Sequence, residues 1–126
     1  LETLLQKTVE YSKTRKQFGT VIGTFQALQH RMADMFIECQ LARSIVVMAA
    51  MKLDSSSGQR EKTKAVSAAK SRVGKAIRKV SQEAVQIHGG IGVTNELDVG
   101  HYFKRATALE IMFGNTDYHV ERFASL

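Results

Sequence analysis

Apolar side chains recur every three or four residues along most of the chain, which is the spacing of one face of an α-helix. The longest such run covers residues 24–53, and its apolar positions alternate between steps of three and four residues. These positions are Phe25, Leu28, Met32, Met35, Cys39, Ala42, Val46, Ala49 and Leu53. The pattern predicts a long helix with a heptad-like seam, and Phe36 and Met48 are expected to widen its buried stripe.

Four further segments predict helices. The first covers residues 1–13, and another follows the serine-rich loop at residues 54–58 and runs to about His88. A fourth covers about residues 97–113, and a short terminal helix follows the N-cap cluster at residues 115–117. Proline is absent and strand alternation is weak. Long helices joined by short loops predict an all-α fold, an up-and-down four-helix bundle with a short extra C-terminal helix.

A glycine-rich corner interrupts the helical pattern after the third long helix. Gly89 and Gly90 predict the end of that helix, because glycine readily adopts the left-handed conformation found there. Thr94 and Asn95 offer N-cap oxygens for the next helix. Together with Gln86, the glycines leave backbone amides that a ligand could approach, although the spacing is not that of a dinucleotide or Walker loop. A plain helix C-cap is the alternative interpretation.

The segment between the first two predicted helices has an unusual mixture of residues. Gly19 and Gly23 bracket a short exposed loop that carries Arg15, Lys16 and Phe18. Arg15 offers a planar fork of N–H donors suited to phosphate, and Phe18 offers a flat face for stacking on a ring. The alternative is an ordinary loop arginine with a phenylalanine packed beneath it.

Composition limits the function classes that need to be considered. The 126 residues are 44% hydrophobic and 24% charged, as in a globular domain, and no apolar run approaches the roughly 20 residues of a membrane span. An intracellular, cytoplasmic protein without membrane association is expected. The net charge is +6, but the basic residues are spread along the helices, so nucleic acid is not an expected partner. Cys39 is expected to be buried, and no histidine spacing predicts a metal site.

Five short motifs follow one another along the chain in a fixed order. They are Tyr-Ser-Lys-Thr-Arg-Lys-Gln-Phe-Gly from Tyr11, Phe25-Gln26, Met-Ala-Asp-Met from Met32, Gln-Ile-His-Gly-Gly-Ile-Gly from Gln86, and Gly-Asn-Thr-Asp from Gly114. In this order and spacing they closely resemble the C-terminal domain of the acyl-CoA dehydrogenases, over essentially the whole chain. A complete subunit of that family also has an N-terminal helical domain and a middle β-domain. The resemblance therefore implies that residues 1–126 are a fragment of a longer chain, in agreement with a start at Leu1 inside a helical pattern.

The resemblance implies flavin-dependent α,β-desaturation of an acyl-CoA thioester. In the family a carboxylate takes the α-proton, the β-hydrogen leaves as hydride to FAD, and the electrons pass on to an electron-transfer flavoprotein or similar acceptor. FAD lies across a dimer interface there, so a homo- or hetero-oligomer, dimer or tetramer, is implied. A cofactor-free helical interaction module is the alternative for the chain as a whole.

The resemblance also assigns cofactor contacts to particular residues. Those implied to touch the partner subunit's FAD, around its ADP and pyrophosphate part, are Arg15, Phe18, Gln26, Gln86, Gly89 and Gly90. Asn115 and Asp117 are implied to touch the FAD of their own subunit. Because half of such a shared site is absent, the 126-residue chain alone is expected to fold but not to bind FAD tightly.

The position of the catalytic base departs from the family pattern. Many members have a glutamate immediately before the glycine of the terminal turn, whereas this chain has Phe113, and a phenyl ring cannot accept a proton. Three explanations are open. The base stands upstream of Leu1 on the first helix of the domain, or the chain belongs to the non-catalytic subunit of a heteromeric dehydrogenase, or Glu110, one helical turn earlier, takes the role.

Overall fold

A computed structural model describes residues 1–126, and it consists of five helices and one small hairpin. The elements in chain order are α1 (Glu2–Thr14), β1 (Lys16–Gln17), β2 (Thr20–Val21), a 3₁₀ turn (Ile22–Thr24), α2 (Gln26–Asp54), α3 (Gln59–His88), a second 3₁₀ turn (Gly89–Val93), α4 (Val99–Ile111) and α5 (Thr116–Ser125). The predicted all-α bundle with a short C-terminal helix is confirmed. None of the five helices combines the length and apolar character that crossing a membrane requires.

Helix α3 is the centre of the molecule, because it contacts each of the other four helices. Its inner positions are mostly small, which allows the neighbouring helices to approach closely. The main core lies around the C-terminal half of α3 and contains Leu4, Ile22, Met35, Cys39, Val80, Ala84, Ile87 and Val99. Two ion pairs with N···O distances of 2.6 Å, Arg31–Glu83 and Arg72–Glu38, connect α2 to α3. The glycine corner therefore follows directly from the best-packed part of the fold.

The apolar seam of α2 is buried along only part of its length. Met35, Cys39, Ala42 and Ala49 are buried as predicted, but Val46, Leu53, Phe36 and Met48 are each about half exposed. The prediction was wrong for Phe36 and Met48 because they lie on the solvent-facing side of α2. It was wrong for Val46 and Leu53 because α1 does not extend far enough along the other side to cover them. At 1.5 Å per residue α1 is about 20 Å long and α2 about 43 Å, so more than half of α2 has no helix on that side.

The predicted loop around Phe18 is a β-hairpin instead. Lys16 pairs with Val21 and Gln17 with Thr20. Phe18 and Gly19 form the two-residue turn with φ values of +54° and +79°. Positive φ at both central residues is the arrangement of a type I′ turn, whose twist matches that of the paired strands.

The N-caps of the last two helices agree only in part with the sequence-based prediction. Asn115 caps α5 as predicted, since its Oδ1 accepts a hydrogen bond from the Tyr118 N–H at 2.9 Å. The Thr94 and Asn95 cap was wrong, because residues 94–98 form a further turn after the 3₁₀ segment and α4 begins only after Asp98. Helix α4 also ends at Ile111, two residues before the predicted end at Phe113.

Candidate functional site

A groove of about 490 Å³ opens between the β1–β2 hairpin and the C-terminal end of α3. It brings together residues that lie about 70 positions apart in the sequence, and five of the six implied partner-facing residues line it. These are Arg15, Phe18, Gln86, Gly89 and Gly90. The sixth, Gln26, is exposed at the first position of α2 but does not line the groove.

The hairpin holds Arg15 and Phe18 on one wall. Helix α1 ends at Thr14, and the Ile22 N–H then donates to the Arg15 carbonyl at 2.8 Å, which closes the base of the hairpin. Phe18 stands at the tip with 91% of its surface exposed, and its ring meets only the edge of Phe25, at a centroid distance of 6.2 Å. The hairpin thus presents a cation and a bare aromatic face to the groove.

The glycine corner forms the opposite wall. Gly89 ends α3 with φ +66°, and its N–H donates to the carbonyls of Val85 and Gln86. A methyl group added at Gly89 or Gly90 would meet no atom within 4 Å. Both glycines therefore leave open backbone facing the groove, and the predicted helix end at Gly89 is confirmed.

Two residues that the sequence did not single out form the floor. The rings of Tyr11 and His88 stack at a centroid distance of 4.3 Å, and the Tyr11 hydroxyl donates to the His88 carbonyl at 3.3 Å. Burial lowers the pKa of His88, although its Nδ1 hydrogen bond to the Ala84 carbonyl acts in the opposite direction. His88 is therefore a neutral ring at pH 7 and contributes to the floor of the groove without adding charge. Their positions within two of the five motifs are the only sequence signal for this role.

The charges along the groove are positive. Arg15 and Arg31 line it, and no carboxylate does. The Arg31 Nε donates a hydrogen bond to Glu83 at 2.6 Å, which fixes the position of the guanidinium group. Burial acts to raise the pKa of Glu83, but the hydrogen bonds from Arg31 and Lys79 outweigh it and hold that pKa below its ordinary value. Glu83 compensates the charge of Arg31, so Arg15 is the cation that can attract an anion to the groove.

Asn115 and Asp117 lie elsewhere on the molecule. Both are exposed at the start of α5, next to Thr116, which packs against Gly74 in the middle of α3. Gly74 and Gly89 are about 15 residues apart on one helix, or roughly 22 Å at 1.5 Å per residue. One chain therefore carries two separate groups of the implied contact residues.

Phe113 lies in the turn between α4 and α5 and is 87% exposed, with φ +60°. Glu110, by contrast, is buried, and its Oε1 accepts hydrogen bonds from the Thr116 N–H at 3.1 Å and Arg78 Nη2 at 3.2 Å. The Thr116 N–H holds the pKa of Glu110 below its ordinary value against the effect of burial, and Arg78 and Lys70 add to this lowering. Such a carboxylate suits a structural ion pair better than proton abstraction.

Comparison with known proteins gives a consistent result. The family model for the acyl-CoA dehydrogenase C-terminal domain matches residues 1–125. Acyl-CoA dehydrogenase IpdE2 of Mycolicibacterium smegmatis is 45% identical over 102 residues, which are 81% of this chain and 30% of that protein. The chain thus spans about a third of the length of such relatives.

Solved structures agree over nearly the whole chain. The ChsE4-ChsE5 complex from Mycobacterium tuberculosis superimposes with a TM-score of 0.91 at 31% identity, covering 98% of this chain and 33% of the other. An FAD-dependent dehydrogenase superimposes with a TM-score of 0.90 at 28% identity, covering 98% and 33%. The chain therefore belongs to the acyl-CoA dehydrogenase family, whose C-terminal domain it matches.

Proposed function

We propose that this chain is the C-terminal FAD-binding and oligomerisation domain of an acyl-CoA dehydrogenase that desaturates an acyl-CoA thioester between its α and β carbons. The groove between the hairpin and the glycine corner carries the proposal. It joins Arg15 and Phe18 from one end of the chain with Gln86, Gly89 and Gly90 from the other, and these are the residues that the family resemblance implies for FAD.

The residues of the groove fit the chemistry of FAD. Its pyrophosphate is an anion, which suits a groove lined by Arg15 and Arg31 without a carboxylate. Its ring systems are flat, which suits the exposed face of Phe18. Gly89 and Gly90 add open backbone, and Gln86 adds an amide that can donate and accept.

The separation of the two residue groups supports a cofactor shared between subunits. In this proposal Arg15, Phe18 and the glycine corner hold the partner subunit's FAD. Asn115 and Asp117, roughly 22 Å away along α3, contact the FAD of their own subunit. The N-terminal helical and middle β domains, in the longer parent chain, complete the site.

The chain's own contribution is positioning and electrostatics. When bound, FAD supplies the redox chemistry by accepting the hydride, and an electron-transfer flavoprotein or similar acceptor receives the electrons afterwards. Phe113 cannot take the α-proton, and Glu110 is held by Arg78 and the Thr116 N–H. We therefore assign the base to a carboxylate outside residues 1–126.

A non-catalytic subunit of a heteromeric dehydrogenase is the second candidate. The exposed Phe113 at the family's base position favours it. The ChsE4-ChsE5 neighbour is itself a complex of two proteins. In this version the chain binds FAD and supplies architecture, while its mate supplies the carboxylate.

Flavin content of the full-length parent tests cofactor binding. Arg15→Ala and Phe18→Ala should each weaken FAD binding about tenfold or more, the equivalent of roughly 1.4 kcal/mol for a lost phosphate or stacking contact. Arg60→Ala and Phe123→Ala are matched controls, because both residues are exposed and lie outside the groove. Unchanged flavin content in the first pair would reject the proposal in favour of a cofactor-free interaction module.

Anaerobic addition of acyl-CoA thioesters to the same flavoprotein separates the two candidates. Bleaching of the flavin absorbance by the parent alone would establish a complete dehydrogenase whose base lies upstream. Flavin that bleaches only after a mate subunit is added would establish the non-catalytic subunit.

A further inference from the structure

The turn between α4 and α5 is connected to α3 through one buried histidine. His119 is only 4% exposed, and its Nε2 lies 2.9 Å from the Phe113 carbonyl oxygen. Its other ring nitrogen, Nδ1, lies 3.4 Å from the hydroxyl of Ser67, which is fully buried on α3. None of these three residues lines the groove between the hairpin and the glycine corner. The imidazole therefore joins the turn to the central helix at a place separate from that groove.

The two neighbours of the His119 ring determine its tautomer. A carbonyl oxygen can only accept a hydrogen bond, so Nε2 must carry the hydrogen and donate it to Phe113. In the neutral tautomer with its hydrogen on Nε2, Nδ1 has a free lone pair, and the Ser67 hydroxyl can donate to it. Ser67 therefore favours the tautomer whose donor faces the turn.

This hydrogen bond also sets the direction of the Phe113–Gly114 peptide. The peptide is trans, and the N–H of a planar trans peptide points away from its C=O. Because the Phe113 carbonyl faces His119, the Gly114 N–H points to the opposite side, where no backbone group of the chain accepts it. Glycine tolerates many backbone conformations, so the residues of the turn alone would also allow the reversed peptide. His119 is the group that selects the observed orientation.

The residues that follow this peptide are two of those implied to contact FAD. Gly114 lies directly under the α5 side chains, since a methyl group there would be 2.5 Å from Tyr118 Cδ1 and 3.1 Å from His119 Nε2. Asn115 uses its Oδ1 to cap α5, which leaves its side-chain NH₂ free, and Asp117 is exposed one residue into the helix. The orientation of the turn therefore decides where Asn115 and Asp117 stand.

We infer that His119 is a positioning residue for the cofactor site. It holds the Phe113–Gly114 peptide in one orientation and so places Asn115 and Asp117 against the FAD of their own subunit, while Ser67 keeps His119 in the required tautomer. The inference rests on the proposed function, because the turn has this task only if those two residues contact flavin. His119 is itself buried, so its effect on the cofactor passes through the turn.

FAD affinity of the full-length parent gives the first test. His119→Leu removes both ring nitrogens from a side chain of similar size and should raise the FAD dissociation constant about tenfold. His119→Gln should keep most of the affinity, because its amide offers a donor for Phe113 and an acceptor for Ser67. Wild-type affinity in His119→Leu, or no recovery in His119→Gln, would overturn the inference.

A double-mutant cycle separates positioning from a general loss of stability. Ser67→Ala should raise the dissociation constant about threefold in the wild type but not in His119→Leu, because Ser67 acts through the histidine ring. Ser81→Ala is the matched control, since Ser81 is also buried on α3 but its hydroxyl donates only to the Arg78 carbonyl of the same helix. It should leave FAD affinity unchanged. Additive effects of Ser67→Ala and His119→Leu contradict the inference.

NMR of the 126-residue chain measures the turn without flavin. Wild type should show one amide signal for Gly114, whereas His119→Leu should show a second or strongly shifted signal from the reversed peptide. An unchanged Gly114 signal in His119→Leu shows that the turn holds itself and overturns the inference. A wild-type parent that binds no FAD rejects the proposed function and with it the cofactor role of His119. A parent whose FAD binding is indifferent to His119 rejects the inference alone.

Discussion

Two phenylalanines combine an unusual backbone conformation with an exposed side chain. Phe18 and Phe113 are the only non-glycine residues with positive φ, and both side chains are almost fully exposed. Such a backbone costs roughly 1 kcal/mol or more for a bulky residue, and it persists only where the surroundings enforce it. Paired strands enforce it at Phe18, and at Phe113 the His119 Nε2 donates to its carbonyl at 2.9 Å. The Phe18 ring gains only the edge contact with Phe25 within the chain, which agrees with its assignment to the cofactor groove.

Glu110 is a third residue whose environment defines its role. It is only 8% exposed, and it joins the end of α4 to the start of α5 through the Thr116 N–H while pairing with Arg78. Lys70 adds to this junction by donating to the Glu110 carbonyl at 2.9 Å. The carboxylate therefore acts as a cap and an ion-pair partner for the turn that carries Phe113.

Replacing Glu110 by glutamine should destabilise the chain by about 1 kcal/mol at neutral pH, because the amide keeps an acceptor but loses the charge. The folded-state pKa of Glu110 lies below its ordinary value of 4.5. Its stabilisation is therefore fully present above that value and is lost as the pH falls through the lower folded pKa. Urea unfolding should show the gap between wild type and Glu110→Gln closing as the pH falls below about 4.5.

Glu61→Gln removes a carboxylate from an exposed position near the start of α3 and is the control for this experiment. A gap for Glu110→Gln that stays constant down to low pH would mean that the ion pair is not what the carboxylate contributes.

At the scale of elements, α3 organises the fold through its small residues. Gly74 lies where α5 crosses, and a methyl group added there would overlap the Thr116 hydroxyl. Ser67, two turns earlier on the same face of α3, is fully buried, and its Oγ lies 3.4 Å from His119 Nδ1 of α5. The short helix α5 therefore sits close to α3 only because the positions beneath it are small.

Gly74→Ala should destabilise the chain by about 1 to 3 kcal/mol, because overpacking at the α3–α5 crossing outweighs the higher helix propensity of alanine. Gly100→Ala in α4 is the matched control. A methyl group there comes no closer than 3.4 Å to another atom, so this variant should be neutral or more stable. Thermal unfolding of the two proteins gives the comparison, and equal stability would show that α5 shifts freely.

At the scale of the whole molecule, the two groups of implied cofactor residues lie beside different parts of α3. The groove at its end holds Arg15 and Gly89, whereas Asn115 and Asp117 lie near its middle. If each group of residues contacts a different FAD, one chain alone cannot enclose either cofactor. In the proposed function the chain supplies parts of two sites, and its assembly completes both.

The isolated 126-residue chain should accordingly bind FAD at least 100-fold more weakly than the full-length parent. Removing most of the contacts leaves only a few hydrogen bonds and one stacking surface, a loss of roughly 3 kcal/mol or more. Titration of FAD with fluorescence detection would measure this for both proteins. A stoichiometric yellow flavin on the isolated chain would contradict the shared-site proposal.

The sequence was sufficient for the elements because helical periodicity is a local property. The bounds of α3 and the Asn115 cap follow from residues within a few positions of each other. The hairpin at Phe18 could not be predicted in the same way, because glycine allows a positive φ but does not show that the flanking residues will pair. The prediction of a Thr94 and Asn95 cap failed for a related reason. Suitable cap residues do not show whether a helix or a further turn will follow them.

The sequence by itself determined the helical class, the family resemblance and the identity of the residues in the two motif regions. Only the tertiary structure decided that Arg15 and Phe18 meet Gln86 and the glycine corner in one groove, because that contact depends on how α1 and α3 pack. It also decided that Glu110 forms an ion pair with Arg78 and that apolar residues of α2 such as Phe36 and Met48 are exposed. Periodicity identifies which residues prefer burial, but the lengths of neighbouring helices decide which of them are buried.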